Sequence, residues 1–121
     1  MSYDLAVWQG DPADDAAAAA EYAARMDAME AALEQGRPGP EATPTIRAFV
    51  EAALARYPEL HESSGDECPW ASAPLLGEAF GDFICFPLTY SGAEFARDEL
   101  AGIAARLGLV CYDPQVEQRL C

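Results

Sequence analysis

The chain has one histidine, His61, and a cysteine seven residues later, Cys68. A thiol beside an imidazole can lose its proton and become a nucleophile. That chemistry also needs a group to orient the imidazole and a pocket to hold a substrate. The residues between His61 and Cys68 supply only carboxylates and small polar groups, so the plainer reading is a solvated loop histidine. Glu62, Asp66 and Glu67 offer oxygens of the kind a hard cation takes, but their spacing is not that of an EF-hand loop. A charge run in a loop is most often simply hydrated. The chain has no Gly-rich phosphate loop, G-x-S-x-G elbow or H-E-x-x-H helix. Pairs such as Glu78 and Asp82 carry little weight in a chain this acidic. No catalytic residue, metal ligand or cofactor is assigned, and the expectation is a protein that is not an enzyme. The alternative is a small enzyme or ligand-binding domain built on the His61/Cys68 loop.

The same segment does combine carboxylates with an aromatic. Aromatic side chains anchor interfaces, and acidic rims steer basic partners. The candidate partner-binding set is Glu59, Glu62, Asp66, Glu67, Trp70 and Tyr90. Trp8 could join it, although Trp8 and Tyr90 read more readily as core or core-edge residues. For Trp70 both readings stand.

Charge narrows the partner. Asp and Glu number 21 against 7 basic residues, all arginine, for a net charge of −14. That balance argues against nucleic acid, whose phosphates need Lys and Arg, and against anionic membrane surfaces. It favours rapid capture of a basic protein, although solubility alone would also account for it. The cysteines Cys68, Cys85, Cys111 and Cys121 form no C-x-x-C motif, and Cys85 and Cys111 sit in apolar runs. The opening Met-Ser-Tyr-Asp-Leu lacks the pattern of a signal peptide, and no apolar run reaches membrane-spanning length. A cytoplasmic protein with reduced thiols is expected.

These residues must be positioned by a single domain over 1–121, an ordinary domain size. Residues 3–8 read as a strand. Asp11-Pro12 opens a helix whose stripe is Tyr22, Met26, Met29 and Leu33, closed by Gly36 and Pro38. Thr43-Pro44 opens a second, with Ile46, Phe49, Val50, Leu54 and Tyr57 inward and Pro58 as its stop. Residues 59–73 are polar and irregular. Residues 75–80 and 83–90 read as strands joined at Gly81-Asp82, with Pro87 a warning against a central strand. Ser91-Gly92-Ala93-Glu94 matches a capping box for a third helix that carries Ala96, Leu100, Ile103 and Leu107 and closes at Gly108. Residues 109–112 form a further strand, Asp113-Pro114 turns the chain, and 116–121 return as a short strand. The order β-α-α-β-β-α-β predicts an α+β fold. Its single sheet is mixed or antiparallel with helices on one face, and ferredoxin-like topology is the first candidate.

The opening Met-Ser-Tyr-Asp-Leu-Ala-Val-Trp, the helix entry Pro44-Thr45-Ile46-Arg47-Ala48-Phe49, the phrase Pro69-Trp70-Ala71 and the run Gly108-Leu109-Val110-Cys111-Tyr112-Asp113-Pro114-Gln115 carry a resemblance. Together they resemble a group of small bacterial proteins that begin MSYDL-x-V-W and end in a GLVC[FY]DPQ strand and turn. The group is associated with immunity proteins of polymorphic-toxin and contact-inhibition systems. The resemblance implies a protein that binds and neutralises a toxin, with a basic, nucleic-acid-directed toxin the natural partner. It supplies no catalytic residue. A regulatory subunit of a cytosolic complex is the remaining alternative.

Overall fold

The computed structural model describes residues 2–11, 14–61 and 68–121. Its frame is a five-stranded antiparallel sheet in the order β2-β3-β1-β4-β5. The elements run β1 Tyr3–Trp8, α1 Asp15–Glu34, α2 Pro44–Arg56, β2 Ala79–Phe80, β3 Phe83–Leu88, α3 Tyr90–Arg106, β4 Val110–Asp113 and β5 Gln118–Arg119. The first four strands have the order and antiparallel pairing of a ferredoxin-like sheet, and β5 extends its β4 edge.

Alternation along the strands divides the core in two. Leu5, Val7, Ile84, Phe86, Leu88 and Cys111 point to one face, where they meet Ile46, Phe49, Val50 and Ala53 of α2 and Ala96, Leu100, Ile103 and Ala104 of α3. Ala6, Trp8, Phe83, Val110 and Tyr112 point to the other, under Ala18, Tyr22, Met26 and Met29 of α1. Placing every helix on one face therefore holds for α2 and α3 and fails for α1. The physical reason is that the strands carry large apolar side chains on both faces, and Trp8, Phe83 and Tyr112 need cover of their own.

α1 crosses its face from one sheet edge towards the other. Asp15 Oδ1 accepts from Arg119 N–H on β5 at 3.0 Å. Halfway along, the Arg25 guanidinium spans Glu21 at 2.7 Å and Asp82, in the β2–β3 turn, at 2.6 Å. On the last turn Leu33 is 80% exposed although it continues the apolar stripe.

Several element boundaries differ from the sequence expectation. Asp14, not Asp11, caps α1, accepting from Ala17 N–H at 2.8 Å. Thr43 caps α2 with Pro44 at the first position, as expected. Residues 75–80 are mostly not a strand: Leu75–Glu78 is a 3-10 turn and only Ala79–Phe80 pairs with β3. Thr89, not Ser91, caps α3, accepting from Gly92 N–H at 2.9 Å, so the helix starts before the supposed capping box.

Pro87 does lie in a central strand, opposite Asp4 of β1. Its carbonyl accepts from Ala71 N–H at 3.0 Å, on the side away from β1. A strand residue's N and C=O point the same way, so the missing N–H costs the β1 ladder nothing.

Candidate functional site

Among the described residues singled out from sequence, Glu59, Trp70 and Tyr90 do not form one surface. Trp70 is 1% exposed, packed edge-on against Tyr57 and Phe86, and its indole N–H donates to Tyr57 O at 2.8 Å. It is a core residue and is withdrawn as an interface anchor, because its apolar surface and its one donor are both already used. Glu59 is half-buried, and its carboxylate accepts from Leu75 N–H at 3.0 and 3.3 Å, which pins the start of the 3-10 turn. Glu62, Asp66 and Glu67 lie outside the described residues. His61 is exposed, and the Cys68 thiol is directed at Pro58 O, 3.9 Å away. Trp8 is wholly buried in the α1-side core.

Tyr90 keeps its place. As the first residue of α3 it is 49% exposed, and its ring stands edge-on to Tyr3 at 6.2 Å. One and two turns on, Glu94 and Asp98 follow on the same ridge, both exposed. On the adjoining ridge Phe95 is 42% exposed and rests against Tyr57 at 5.8 Å. Glu99, one turn after Phe95, is held by Arg56 at 2.7 Å and by the Tyr57 hydroxyl at 2.9 Å. The Tyr57 hydrogen bond, then the Arg56 hydrogen bond, keep the Glu99 carboxyl below its ordinary range. The Arg56 guanidinium lies 4.5 Å from the Tyr57 ring centroid.

Between β1 and α3 lies a shallow pocket of about 340 Å³ lined by Tyr3, Tyr90, Ala93, Glu94, Arg97 and Asp98. Its base is a network around Asp113, whose side chain is fully buried. The Asp113 carboxylate accepts from Arg97 Nε at 2.8 Å, from Gln115 N–H at 3.0 Å, from Gln115 Nε2 at 2.7 Å and from the Tyr3 hydroxyl. Burial first, and then the hydrogen bond to Asp113, push the Tyr3 phenol up to about 12. Arg97 also approaches Asp98 at 3.4 Å, with part of its guanidinium facing solvent.

Tyr3 and Tyr90 thus form an aromatic wall, Glu94 and Asp98 an acidic rim, and Arg97 a base already neutralised by Asp113. Asp98, Glu94 and Asp113 outnumber the single arginine. Such a pocket suits a basic side chain that stacks on Tyr90 and pairs with the rim. Sequence reasoning found Tyr90 but missed Tyr3, Glu94, Arg97 and Asp98. The helical spacing of Tyr90, Glu94 and Asp98 was the available signal. The capping-box reading obscured it by starting the helix two residues late.

Among the described residues, no three of His, Cys, Asp and Glu are grouped so as to hold a metal ion, and no helix is long and apolar enough to cross a membrane. The chain matches no family model, no curated protein and no solved structure.

Proposed function

We propose that this chain is an acidic protein-binding module that uses the solvent face of α3. The observation that carries the reading is the exposure of Tyr90 and Phe95 among the carboxylates Glu94, Asp98 and Glu99, beside the Tyr3–Tyr90 pocket. Exposed aromatics within an acidic rim combine the two features that anchor and steer a basic partner. A charge of −14 extends the same field over the whole molecule.

Within that class, the motif resemblance favours an immunity protein, and a basic toxin made by the same cell is the proposed partner. Neutralisation would follow from covering the toxin's substrate groove, which, if it binds nucleic acid, attracts carboxylates for the reason it attracts phosphates. The test is co-expression with the product of the neighbouring gene. Co-purification and rescue of growth support the reading, and no complex together with undiminished toxicity sinks it.

A further inference from the structure

The C-terminal half of α1 and the edge strand β2 together line an apolar groove of about 460 Å³. Met26, Met29, Ala32 and Leu33 form one wall, and Ala79 and Phe80 the other. Its polar lining is Glu30 and Glu78, with Arg37 at the end beyond α1. Glu34, exposed on the last turn of α1, adds negative charge nearby. The groove lies on the α1 side of the sheet, whereas Tyr90 and its pocket belong to α3, which packs on the opposite side.

The groove is poorly suited to an added strand. Ala79 N–H already donates to Leu76 O, Gly81 N–H donates to Pro40 O at 3.1 Å, and Phe80 faces Phe83 in the hairpin. A second copy is disfavoured because two chains of −14 would meet with acidic rims opposed. The chemistry left is side-chain packing on methionine and phenylalanine, surrounded mostly by carboxylates. Methionine adapts its shape to an incoming apolar side chain and is over-used at promiscuous binding surfaces, and an amphipathic helix laying its apolar face into such a groove is a recurring mode of recognition.

We infer that this groove docks an amphipathic helix of a partner protein, whose apolar face packs on Met26, Met29, Leu33 and Phe80 and whose flanking Lys or Arg residues pair with Glu30, Glu34 and Glu78. The inference rests on the reading of the chain as a protein-binding module and gives that module a second contact face with its own specificity.

The test uses the full chain and three synthetic peptides: an amphipathic Leu/Lys helix, the same helix with Glu for Lys, and a Ser/Lys peptide of equal charge. Met26 and Met29 line the groove and the only other methionine is Met1, so carbon-13 methionine methyl spectra read the site directly. The Leu/Lys helix is expected to shift the Met26 and Met29 signals saturably. The other two peptides should leave them in place. Leu33→Arg keeps helix propensity at an exposed position and should weaken the Leu/Lys helix by about tenfold. Equal shifts with the Leu/Glu helix, or none with Leu/Lys, would overturn the inference. So would methyl shifts that track protein concentration without peptide, which would make the occupant a second copy. The measurement needs no natural partner. A silent groove leaves the α3 face untouched, and failure to find a toxin leaves the groove result standing.

Discussion

The side-chain amide of Gln115 pairs with the backbone of Asp4 as a strand would: Gln115 Oε1 accepts from Asp4 N–H at 2.7 Å, and Gln115 Nε2 donates to Asp4 O at 2.7 Å. β4 pairs with β1 only from Ala6 to Trp8, so the amide extends the ladder to where the main chain has turned away. Tyr3 and Asp4 come from one end of the sequence and Asp113 and Gln115 from the other, and the Asp113 network joins them under the α3 pocket. Asp113→Ala should cost about 2–4 kcal/mol, less than for a wholly buried pair because Arg97 keeps part of its guanidinium in water. Gln115→Ala, at an exposed site, should cost about 1 kcal/mol. Urea denaturation checks both, and an Asp113 effect below that of Gln115 would contradict the network.

The start of α3 gives a sign test. A Cβ on Gly92 would lie 2.5 Å from Pro69 Cα and 2.8 Å from Pro69 O, atoms that cannot swing aside. Gly→Ala inside an open helix gains about 1 kcal/mol; Gly92→Ala should instead lose about 1–3 kcal/mol. Thr89→Ala should lose about 1 kcal/mol through the cap, and Ser91→Ala should stay within about 0.5 kcal/mol. A costly Ser91 change with a harmless Thr89 change would return the cap to the position expected from sequence.

Alkaline stability follows from buried protons. Burial above all pushes the Cys85 thiol and the Tyr22 phenol each up to about 12, with nearby Asp4 adding to both, and the Tyr3 phenol stands equally high. In the unfolded chain a thiol titrates near pH 8.5 and a phenol near 10. Between those values and about 12 the unfolded chain sheds protons that the folded chain keeps, so stability falls as pH rises through that window. The urea midpoint under reducing conditions should be lower at pH 10.5 than at 7.5, and Tyr22→Phe should flatten the fall. A midpoint that rises with pH would contradict the assignment.

Cys121 behaves in the opposite sense. A hydrogen bond from the buried Cys111 thiol favours its thiolate and, outweighing burial, brings it to about 7, while Cys111 is held well above its ordinary value. Alkylation at pH 7.5, read by mass spectrometry, should mark Cys121 well before Cys111 or Cys85. Cys111→Ala should slow the Cys121 reaction by removing the donor. An unchanged rate would show that the Cys111 hydrogen bond does not set the reactivity.

Much of the frame was legible in the residues themselves. Thr43-Pro44 and the stripe of Ile46, Phe49 and Val50 mark α2 because cap, proline and periodicity agree. The order of elements was readable for the same reason. The second helix layer was less so: alanine dominates α1, and its weak stripe does not say which side of the sheet Tyr22 and Met26 will cover. Trp70 was ambiguous because, flanked by Pro69 and Ala71, it lies in an otherwise polar segment, while its neighbours in space, Tyr57 and Phe86, come from elsewhere in the chain. The pocket at Tyr3, Arg97 and Asp113 depends on contacts up to 110 residues apart, which no local pattern records.

The most direct test of the α3 face is the association rate of this chain with the co-expressed basic protein, measured against ionic strength for the wild type, Tyr90→Ala and a Glu94→Gln/Asp98→Asn double variant. Steering requires the wild-type rate to fall steeply with salt, the double variant to start slower and depend less on salt, and Tyr90→Ala to dissociate about tenfold faster with little change in association. An association rate indifferent to salt, or three proteins with the same kinetics, would contradict it.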